Sequence, residues 1–215
     1  TINNTGQSST EAMKLAFDAK MSAERREYLA NQYNPNANVN YSAQSTTIER
    51  FIYDDLMHFS NYDNIRSIPK MLDGQKAGQR KVVFYALNHV GKNEAKVAQM
   101  AGTAAQVTQY HHGEVSLANT IIGMAATYTG SHNLPLLYPS GQFGSRHAKN
   151  SAAAPRYIFT HISSFLPRLI KSEDNDVLTY NVDENKKVEP TVYIPVIPIV
   201  LVNGANGIGT GWKCD

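Results

Sequence analysis

The chain has 215 residues, of which 42% are hydrophobic, and a formal net charge of +2; this length fits one large domain or one domain with appendages. No apolar run reaches the roughly 20 residues that a membrane-spanning helix needs, and the first residues lack the charged and apolar regions of a signal peptide. The single cysteine, Cys214, excludes an internal disulfide and fits a reducing compartment.

The charges are unevenly distributed along the chain. From Arg66 to Lys96 there are seven lysines and arginines against two acids, Asp73 and Glu94. Such a local excess indicates one basic face that could meet a polyanion. A solvated, lysine-rich surface without a partner explains the composition equally well.

The first quarter of the chain predicts helices separated by polar connectors. Residues 1–10 are rich in Ser, Thr and Asn and are expected to be disordered or the edge of a linker. Apolar residues at helical spacing predict one helix over 11–32, and 33–45 reads as a loop. Thr47 is expected to open an amphipathic helix that ends near residue 58.

The middle of the chain predicts a helix-turn-helix followed by a wing. Residues 61–78 carry turn residues, and a short helix is expected over 79–88. Two closely spaced helices are predicted over 95–107 and 115–127, which is a helix-turn-helix arrangement. The next segment, 136–157, contains Pro and Gly residues typical of turns and a basic tip, which is the pattern expected of a wing.

The last part predicts one more helix and two strands. The helix is expected over 156–169, and the strands over 177–180 and 188–202. Pro190, Pro195 and Pro198 confine the second strand to an edge or a bulge. The predicted fold class is α+β, with helices dominant early and short strands late.

Five segments occur in a fixed order: RSIPKMLDGQKAGQRKVVF, KVAQMAG, YHHGE, GQFGSR with APRYIFT, and IPIVLVNGANGIGTGW. Together they resemble the breakage-reunion region of the type IIA DNA topoisomerases, with the greatest similarity to the eukaryotic and large-DNA-virus enzymes. The resemblance extends from about Leu15 to Cys214, and several long motifs in order are far more specific than one short pattern. It implies a linker from an upstream Toprim region over 1–45, a winged-helix DNA-gate domain over 46–170, and the start of a tower-type α/β domain over 171–215.

Tyr157 is the candidate nucleophile. A phenol is a weak nucleophile at neutral pH because its pKa is about 10, and a neighbouring guanidinium such as Arg156 can favour the phenolate and hold a phosphate oxygen. Pro155 would place both residues at a helix start, which itself attracts phosphate. Taken alone, one of twelve tyrosines is more simply a packing residue. The resemblance implies that Tyr157 attacks DNA with Arg156 as its partner, forming a 5′-phosphotyrosyl link and leaving a 3′-hydroxyl.

The resemblance also implies a set of DNA contacts. His111 and His112 of YHHGE would lie near the cleavage site, although plain turn residues are an equal alternative for each, and no further Cys or His completes a zinc site. Ala77 stands where the family usually has proline, and the wing is one residue shorter than in typical eukaryotic relatives. The expected DNA-contacting residues are Arg66, Lys76, Gln79, Arg80, Lys96, His111, His112, Arg146 and Lys149.

Ile208, in GANGIGTGW, matches the family isoleucine that wedges between base pairs. A small apolar side chain on a glycine-rich turn suits unstacking, since glycines permit close approach and the side chain replaces stacking area. A buried core isoleucine beside a turn is the simpler alternative from the residues alone.

The function implied is that of the DNA gate of an ATP-dependent type II topoisomerase, which relaxes and decatenates double-stranded DNA. The resemblance implies a homodimer, no membrane partner, a nuclear location or a viral replication site, and Mg²⁺ and ATP bound by domains outside this chain. No metal ligands are expected within the chain, and the isolated segment should bind DNA weakly and cleave it poorly. The alternatives are a winged-helix module that binds or bends DNA without chemistry and, less well supported, an interaction scaffold.

Overall fold

The computed structural model describes residues 1–148 and 150–215. It divides into two compact units, one of Thr1–Ile68 with Asn206–Cys214 and one of Pro69–Ala205 with Asp215. We call these the first and the second unit. Within the described residues, the helices are too short or too polar to traverse a bilayer. The domain boundaries expected at residues 45 and 170 stay a prediction, because compact units and domains need not coincide.

The helices are mostly short. They are α1 Gln7–Phe17, α2 Ser22–Asn31, α3 Ile48–Phe51, α4 Met57–Ser67, α5 Ala77–Tyr85, α6 Val97–Val107, α7 Glu114–Ala125, α8 Leu166–Leu169 and α9 Ile199–Asn203. Two π-helical turns, Ile52–Leu56 and Ala86–Val90, join α3 to α4 and extend α5, and a 3₁₀ turn covers Ser172–Asp176. Helices are therefore continuous over 48–67 and over 77–90.

In the part of the chain that the structure describes, the strands form four small sheets. They are β1 Ile2–Asn3, β2 Thr46–Thr47, β3 Ala95–Lys96, β4 Leu137–Ser140, β5 Phe159–Ile162, β6 Tyr180–Asp183, β7 Lys186–Pro190, β8 Gly207–Ile208 and β9 Lys213–Cys214. The largest sheet has the order β3-β5-β4 and is antiparallel throughout. The mixed helix-and-strand class predicted from the sequence is confirmed.

In the first unit, the helix predicted at Thr47 is confirmed, since the Thr47 hydroxyl accepts a hydrogen bond from the amide of Arg50 at 3.4 Å. This helix continues to Ser67, beyond its predicted end, because the π-helical turn lets the chain pass without a break. The single helix expected over 11–32 is wrong. The chain turns at Asp18, whose carboxylate accepts from the amide of Lys20 at 2.9 Å.

Residues 1–10 also differ from the prediction of disorder. Strand β1 pairs in parallel with β2, and α1 already begins at Gln7. A short polar segment thus gains order by pairing with a partner some forty residues away, which composition alone does not reveal.

In the second unit, α5, α6 and α7 pack against one another, α7 contacts β4, and the π-helical turn that extends α5 contacts β5. Along β5, Phe159 is exposed, Thr160 buried, His161 half-buried and Ile162 buried, so alternate residues face the core. The centre of this core consists of the fully buried side chains Val82, Val83, Val97, Met100, Leu117, Ile121, Leu137, Ile158 and Leu166. Helices α6 and α7 form the predicted helix-turn-helix, and a long connection leads from β4 to β5.

The last predicted elements need correction. The helix expected over 156–169 is wrong: residues 155–157 form a turn, β5 follows, and only Leu166–Leu169 is helical. Pairing with β3 on one side and β4 on the other makes 159–162 a central strand. The strand expected over 188–202 is wrong beyond Pro190. Strand β7 ends there, opposite Tyr180, and the apolar residues 199–203 form the helix α9.

Candidate functional site

Tyr157 lies on an exposed turn that directly precedes the central strand β5. Its side chain is 67% exposed, and its amide donates to the carbonyl of Ala154 at 2.9 Å. The guanidinium carbon of Arg156 lies 5.0 Å from the centroid of the Tyr157 ring, within the range of a cation–π contact. An exposed phenol beside a cation can approach a phosphate diester, so this turn has the chemistry predicted for a nucleophile.

The position of this turn is set by the start of α6. The amide of Val97 donates to the carbonyl of Ile158 at 3.0 Å, and the amide of Ala98 donates to that of Pro155 at 3.1 Å. Both amides belong to the first turn of a helix, where they have no partner within the helix. The expected helix start at Arg156 is therefore replaced by contact with the start of another helix.

Ile158 anchors the turn from below. Its side chain is 1% exposed and lies in the core of the second unit. Gly141, at the beginning of the long connection, has φ +122°, and a Cβ there would lie 2.8 Å from Cγ2 of Ile158. Only glycine fits this close approach, so the connection and the turn are packed against each other.

Lys96 adds a second positive charge on the same sheet. It pairs across the ladder with Phe159, and its ammonium nitrogen lies 5.8 Å from the centroid of that ring. Phe159 follows the Tyr157 turn directly and is partly exposed. Lys96 and Arg156 thus both lie near the first residue of β5, next to the turn that carries Tyr157.

The two histidines occupy the turn between α6 and α7. Nε2 of His111 lies 2.9 Å from Oδ2 of Asp183, so this side chain is paired with the β6–β7 hairpin. The ring of His112 contacts that of Tyr110 edge-on, with centroids 5.3 Å apart. Within residues 1–148 and 150–215, no three His, Cys, Asp or Glu side chains are grouped to hold a metal ion.

Lys76 and Gln79 lie at the start of α5, which begins two residues earlier than the predicted helix. Helix α5 begins at Ala77, and the side-chain carbonyl of Gln79 accepts from the amide of Lys76 at 2.9 Å. Both side chains are partly exposed. A cation next to unpaired helix amides is suited to a phosphate group.

Arg80 requires a correction. Its side chain is 3% exposed and makes a two-point ion pair with Asp73, with Nε 2.7 Å from Oδ2 and Nη2 2.9 Å from Oδ1. Nη2 also donates to the carbonyl of Gln75 at 2.8 Å. A guanidinium so enclosed cannot contact DNA in this structure, so Arg80 shapes the loop before α5 instead.

Asp73 also accepts hydrogen bonds from two backbone amides, one in its own loop and one distant in sequence. Its carboxylate accepts from the amide of Gln75 at 2.9 Å and from that of Tyr193 at 3.0 Å. Burial, more than the nearby Tyr180, raises the pKa of Tyr193, which therefore stays a neutral phenol. This cluster joins the loop before α5 to the segment that follows β7.

The remaining basic candidates are spread over both units. Arg66 lies in the last turn of α4, in the first unit, and is partly exposed. Arg146 is exposed on a tight turn closed by reciprocal backbone bonds between Ser145 and Ala148, each 3.2 Å. Lys149 lies outside the described residues.

Ile208 belongs to the first unit and lies on β8. Its side chain is 79% exposed, so the alternative of a buried core isoleucine is wrong. The hairpin it belongs to is attached to α4, where the Thr210 hydroxyl donates to Asp63 at 2.8 Å and the Asn64 amide donates to the Thr210 carbonyl at 3.2 Å. A Cβ at Gly209 would lie 2.1 Å from Oδ1 of Asn64, so a larger residue there would have to displace the Asn64 side chain.

Sequence reasoning missed three acids that organise this region: Asp73, Asp183 and Glu189. Glu189 is buried and pairs with Lys81 at 2.9 Å, across more than a hundred residues of sequence. Asp73 carried one usable signal, an acid a short distance before Arg80 in a glycine-containing loop. No local signal pointed to the other two.

Two family models together match nearly the whole chain. One, the model of the DNA gyrase/topoisomerase IV A-subunit, matches residues 66–215. The other, described as the C-terminal associated domain of TOPRIM, matches residues 1–64.

Individual proteins show the same similarity. DNA topoisomerase 2-alpha of Homo sapiens is 46% identical, over 98% of this chain and 14% of the human protein. DNA topoisomerase 2-beta of Cricetulus longicaudatus is 44% identical, over 97% of this chain and 14% of that protein. The DNA-binding, cleavage and re-ligation domain of Plasmodium falciparum topoisomerase II superposes with a TM-score of 0.81 at 41% identity, covering 99% of this chain and 29% of that one. The chain thus spans about a seventh of the length of the curated relatives it matches.

Proposed function

The chain belongs to the type IIA DNA topoisomerases, and on this premise we propose that it is the part of such an enzyme that grips and breaks DNA. The observation that carries the proposal is the exposed Tyr157, held on a turn fixed to the start of α6 with the Arg156 guanidinium against its ring. A tyrosine that only packed would bury its ring. This one is exposed with the Arg156 guanidinium against its ring, and Lys96 lies opposite Phe159 on the neighbouring strand.

The proposed reaction exchanges one phosphodiester for another. The Tyr157 oxygen loses its proton and attacks phosphorus, forming a bond to the 5′-phosphate, while the bond to the 3′-oxygen breaks and that oxygen takes up a proton. Because a phosphodiester is conserved in the covalent intermediate, the reverse reaction reseals the strand without a nucleotide. Arg156 would stabilise the charge that develops on the phosphoryl oxygens.

The proposed function requires Mg²⁺ and ATP in the full enzyme. The described residues offer no cluster of acids or histidines that fits a metal ion, so no step here is assigned to one. We propose that Mg²⁺ and ATP bind in other domains of the enzyme, and that this segment alone binds DNA weakly and cleaves it poorly.

The proposed partner is double-stranded DNA, gripped by a homodimer whose two tyrosines each cut one strand. We assign phosphate or groove contacts to Arg66, Lys76, Gln79, Lys96, His111, His112 and Arg146, and retain Lys149 as a candidate from the sequence. Exposed Ile208, on a hairpin fixed to α4, would serve as the wedge between base pairs. We propose that α6, α7 and the long β4–β5 connection act as a winged helix, and that the tower-type domain begins after α8.

A second candidate function, a winged-helix module that binds or bends DNA without chemistry, accounts for the helix-turn-helix and the basic residues. It does not account for an exposed tyrosine paired with an arginine on a turn held by backbone hydrogen bonds.

The proposed enzyme function also implies a nuclear location, or a viral replication site for a viral enzyme.

The test compares the full-length protein with its Tyr157→Phe variant on supercoiled plasmid in Mg²⁺, followed by a denaturing quench. Protein joined to DNA 5′ ends is expected for the wild type and absent for the variant, with DNA binding retained. Tyr138→Phe is the matched control, because Tyr138 is also an exposed tyrosine of this sheet, and it should form normal amounts of adduct. Equal adduct from Tyr157→Phe would exclude Tyr157 as the nucleophile, and no adduct from any of the three would favour the non-catalytic module.

A further inference from the structure

We propose that Asp183 is a positioning residue that acts through His111, as part of a frame in which the β6–β7 hairpin holds the turn between α6 and α7. This inference rests on the function proposed above, because it assigns His111 to the DNA-cleavage site. Asp183 itself is not placed in contact with DNA.

The hairpin is a small, well-defined element. Strands β6 and β7 are antiparallel, with Asp183 opposite Lys186 and Val182 opposite Lys187. Glu184 and Asn185 close it with positive φ angles of 47° and 61°, the backbone of a tight two-residue hairpin turn. A hairpin of this type fixes the direction of the side chains at its ends.

The first attachment of the hairpin to the turn is buried. Glu189 on β7 accepts from Lys81 at 2.9 Å and from the Asn181 side chain at 3.2 Å. The same lysine nitrogen donates to the carbonyl of Thr108, the residue that directly follows α6. Since Glu189 is 3% exposed, this contact fixes where the turn begins.

The second attachment is at the exposed end of the same hairpin. Oδ2 of Asp183 lies 2.9 Å from Nε2 of His111, three residues beyond Thr108. One carboxylate of the hairpin therefore contacts the turn directly, at His111, and a second reaches it through Lys81, which bonds the Thr108 carbonyl. A rigid element attached twice restrains the His111 ring more than an isolated surface ion pair would.

The consequence concerns which ring nitrogen of His111 faces a ligand. Because a carboxylate can only accept, Nε2 must carry the proton in this contact. In the neutral ring Nδ1 is then left as an acceptor, which can take a hydrogen bond from a sugar hydroxyl such as the 3′-hydroxyl formed on cleavage. Asp183 thus sets the proton position and the orientation of the ring. Removing it should impair cleavage while leaving the affinity for DNA, which depends on many cations, nearly unchanged.

The experiment measures covalent adduct formation and DNA affinity in the full-length protein for Asp183→Asn, His111→Ala and the double variant. We expect Asp183→Asn to slow cleavage about tenfold, a coupling typical of residues in contact, with DNA affinity altered by less than about twofold. In the His111→Ala background, Asp183→Asn should have no further effect. Asp183→Glu, which keeps the carboxylate, should recover part of the rate, and Asp176→Asn, at an exposed acid of the same unit, should behave as wild type.

The outcomes distinguish a failure of the role inferred for Asp183 from a failure of the proposed function. If Asp183→Asn slows cleavage equally with and without His111, Asp183 does not act through His111. Loss of DNA affinity in step with cleavage would likewise overturn the positioning role, as would wild-type cleavage by Asp183→Asn. Absence of adduct from the wild type would instead refute the proposed function itself, and the inference with it.

Discussion

Replacing Asp73 with asparagine should destabilise the second unit strongly. Asp73 is completely buried, as is most of its partner Arg80. Oδ1 accepts from Gln75 N and Arg80 Nη2, both at 2.9 Å, and Oδ2 accepts from Arg80 Nε at 2.7 Å and Tyr193 N at 3.0 Å. Whichever way an asparagine amide is oriented, its NH₂ group would face two of these donors and leave both unpaired.

The size of the effect follows from that count. Each unsatisfied buried donor costs about 1–3 kcal/mol, which gives about 4 kcal/mol for two. This agrees with the roughly 3–5 kcal/mol lost when one partner of a buried ion pair is removed. With a urea m-value of about 2–3 kcal/mol/M, the unfolding midpoint should fall by between about 1 and 2 M.

Urea unfolding followed by circular dichroism provides the assay, with Asp176→Asn as the control. Asp176 is exposed, so its variant should lie within about 0.5 kcal/mol of wild type. Equal midpoints for Asp73→Asn and Asp176→Asn would refute the reasoning.

Two further predictions concern other parts of the chain. Because Ile208 is 79% exposed, Ile208→Ala should alter the free energy of unfolding by less than about 0.5 kcal/mol yet reduce DNA bending by the full-length protein, measured by energy transfer across a labelled duplex. Unchanged bending would exclude the wedge. Burial lowers the pKa of His132 below 6.5, outweighing its hydrogen bond to the Gly123 carbonyl. The unfolded state then binds the proton more readily, so stability falls as pH drops through 6.5. The loss in urea midpoint between about pH 8 and about pH 5.5 should be smaller in His132→Asn, and an equal loss would contradict this account.

The helices around the core of the second unit were predictable because their patterns are local. Helices α6 and α7 lie within two residues of the predicted ranges, since apolar residues at helical spacing suffice to mark them. The strand that follows Tyr157 was missed because it is defined by its neighbours. Four residues, Phe159–Ile162, become a central strand only through pairing with segments as distant as Ala95, and sequence spacing cannot reveal that.

The residues of the candidate site also divide into those that local motifs identify and those that depend on distant partners. Motifs identified Tyr157, Arg156 and Ile208, and the structure exposes all three side chains, although their roles stay predictions. Arg80 looked like its exposed basic neighbours because charge alone does not tell a phosphate contact from a buried ion pair. The difference depends on Asp73 and on Tyr193, whose amide comes from a segment 120 residues away.

The attachment of the Tyr157 turn to α6 has a consequence for how freely this region can change in evolution. The two bonds that hold the turn, from the Val97 and Ala98 amides, involve only main-chain atoms. Side chains on either partner can therefore be exchanged without releasing it, provided the core beneath is filled. The one kind of exchange that removes a bond outright is proline at 97 or 98, since proline has no amide hydrogen. The position of Tyr157 thus depends on main-chain atoms, so the side chains around it are free to diverge.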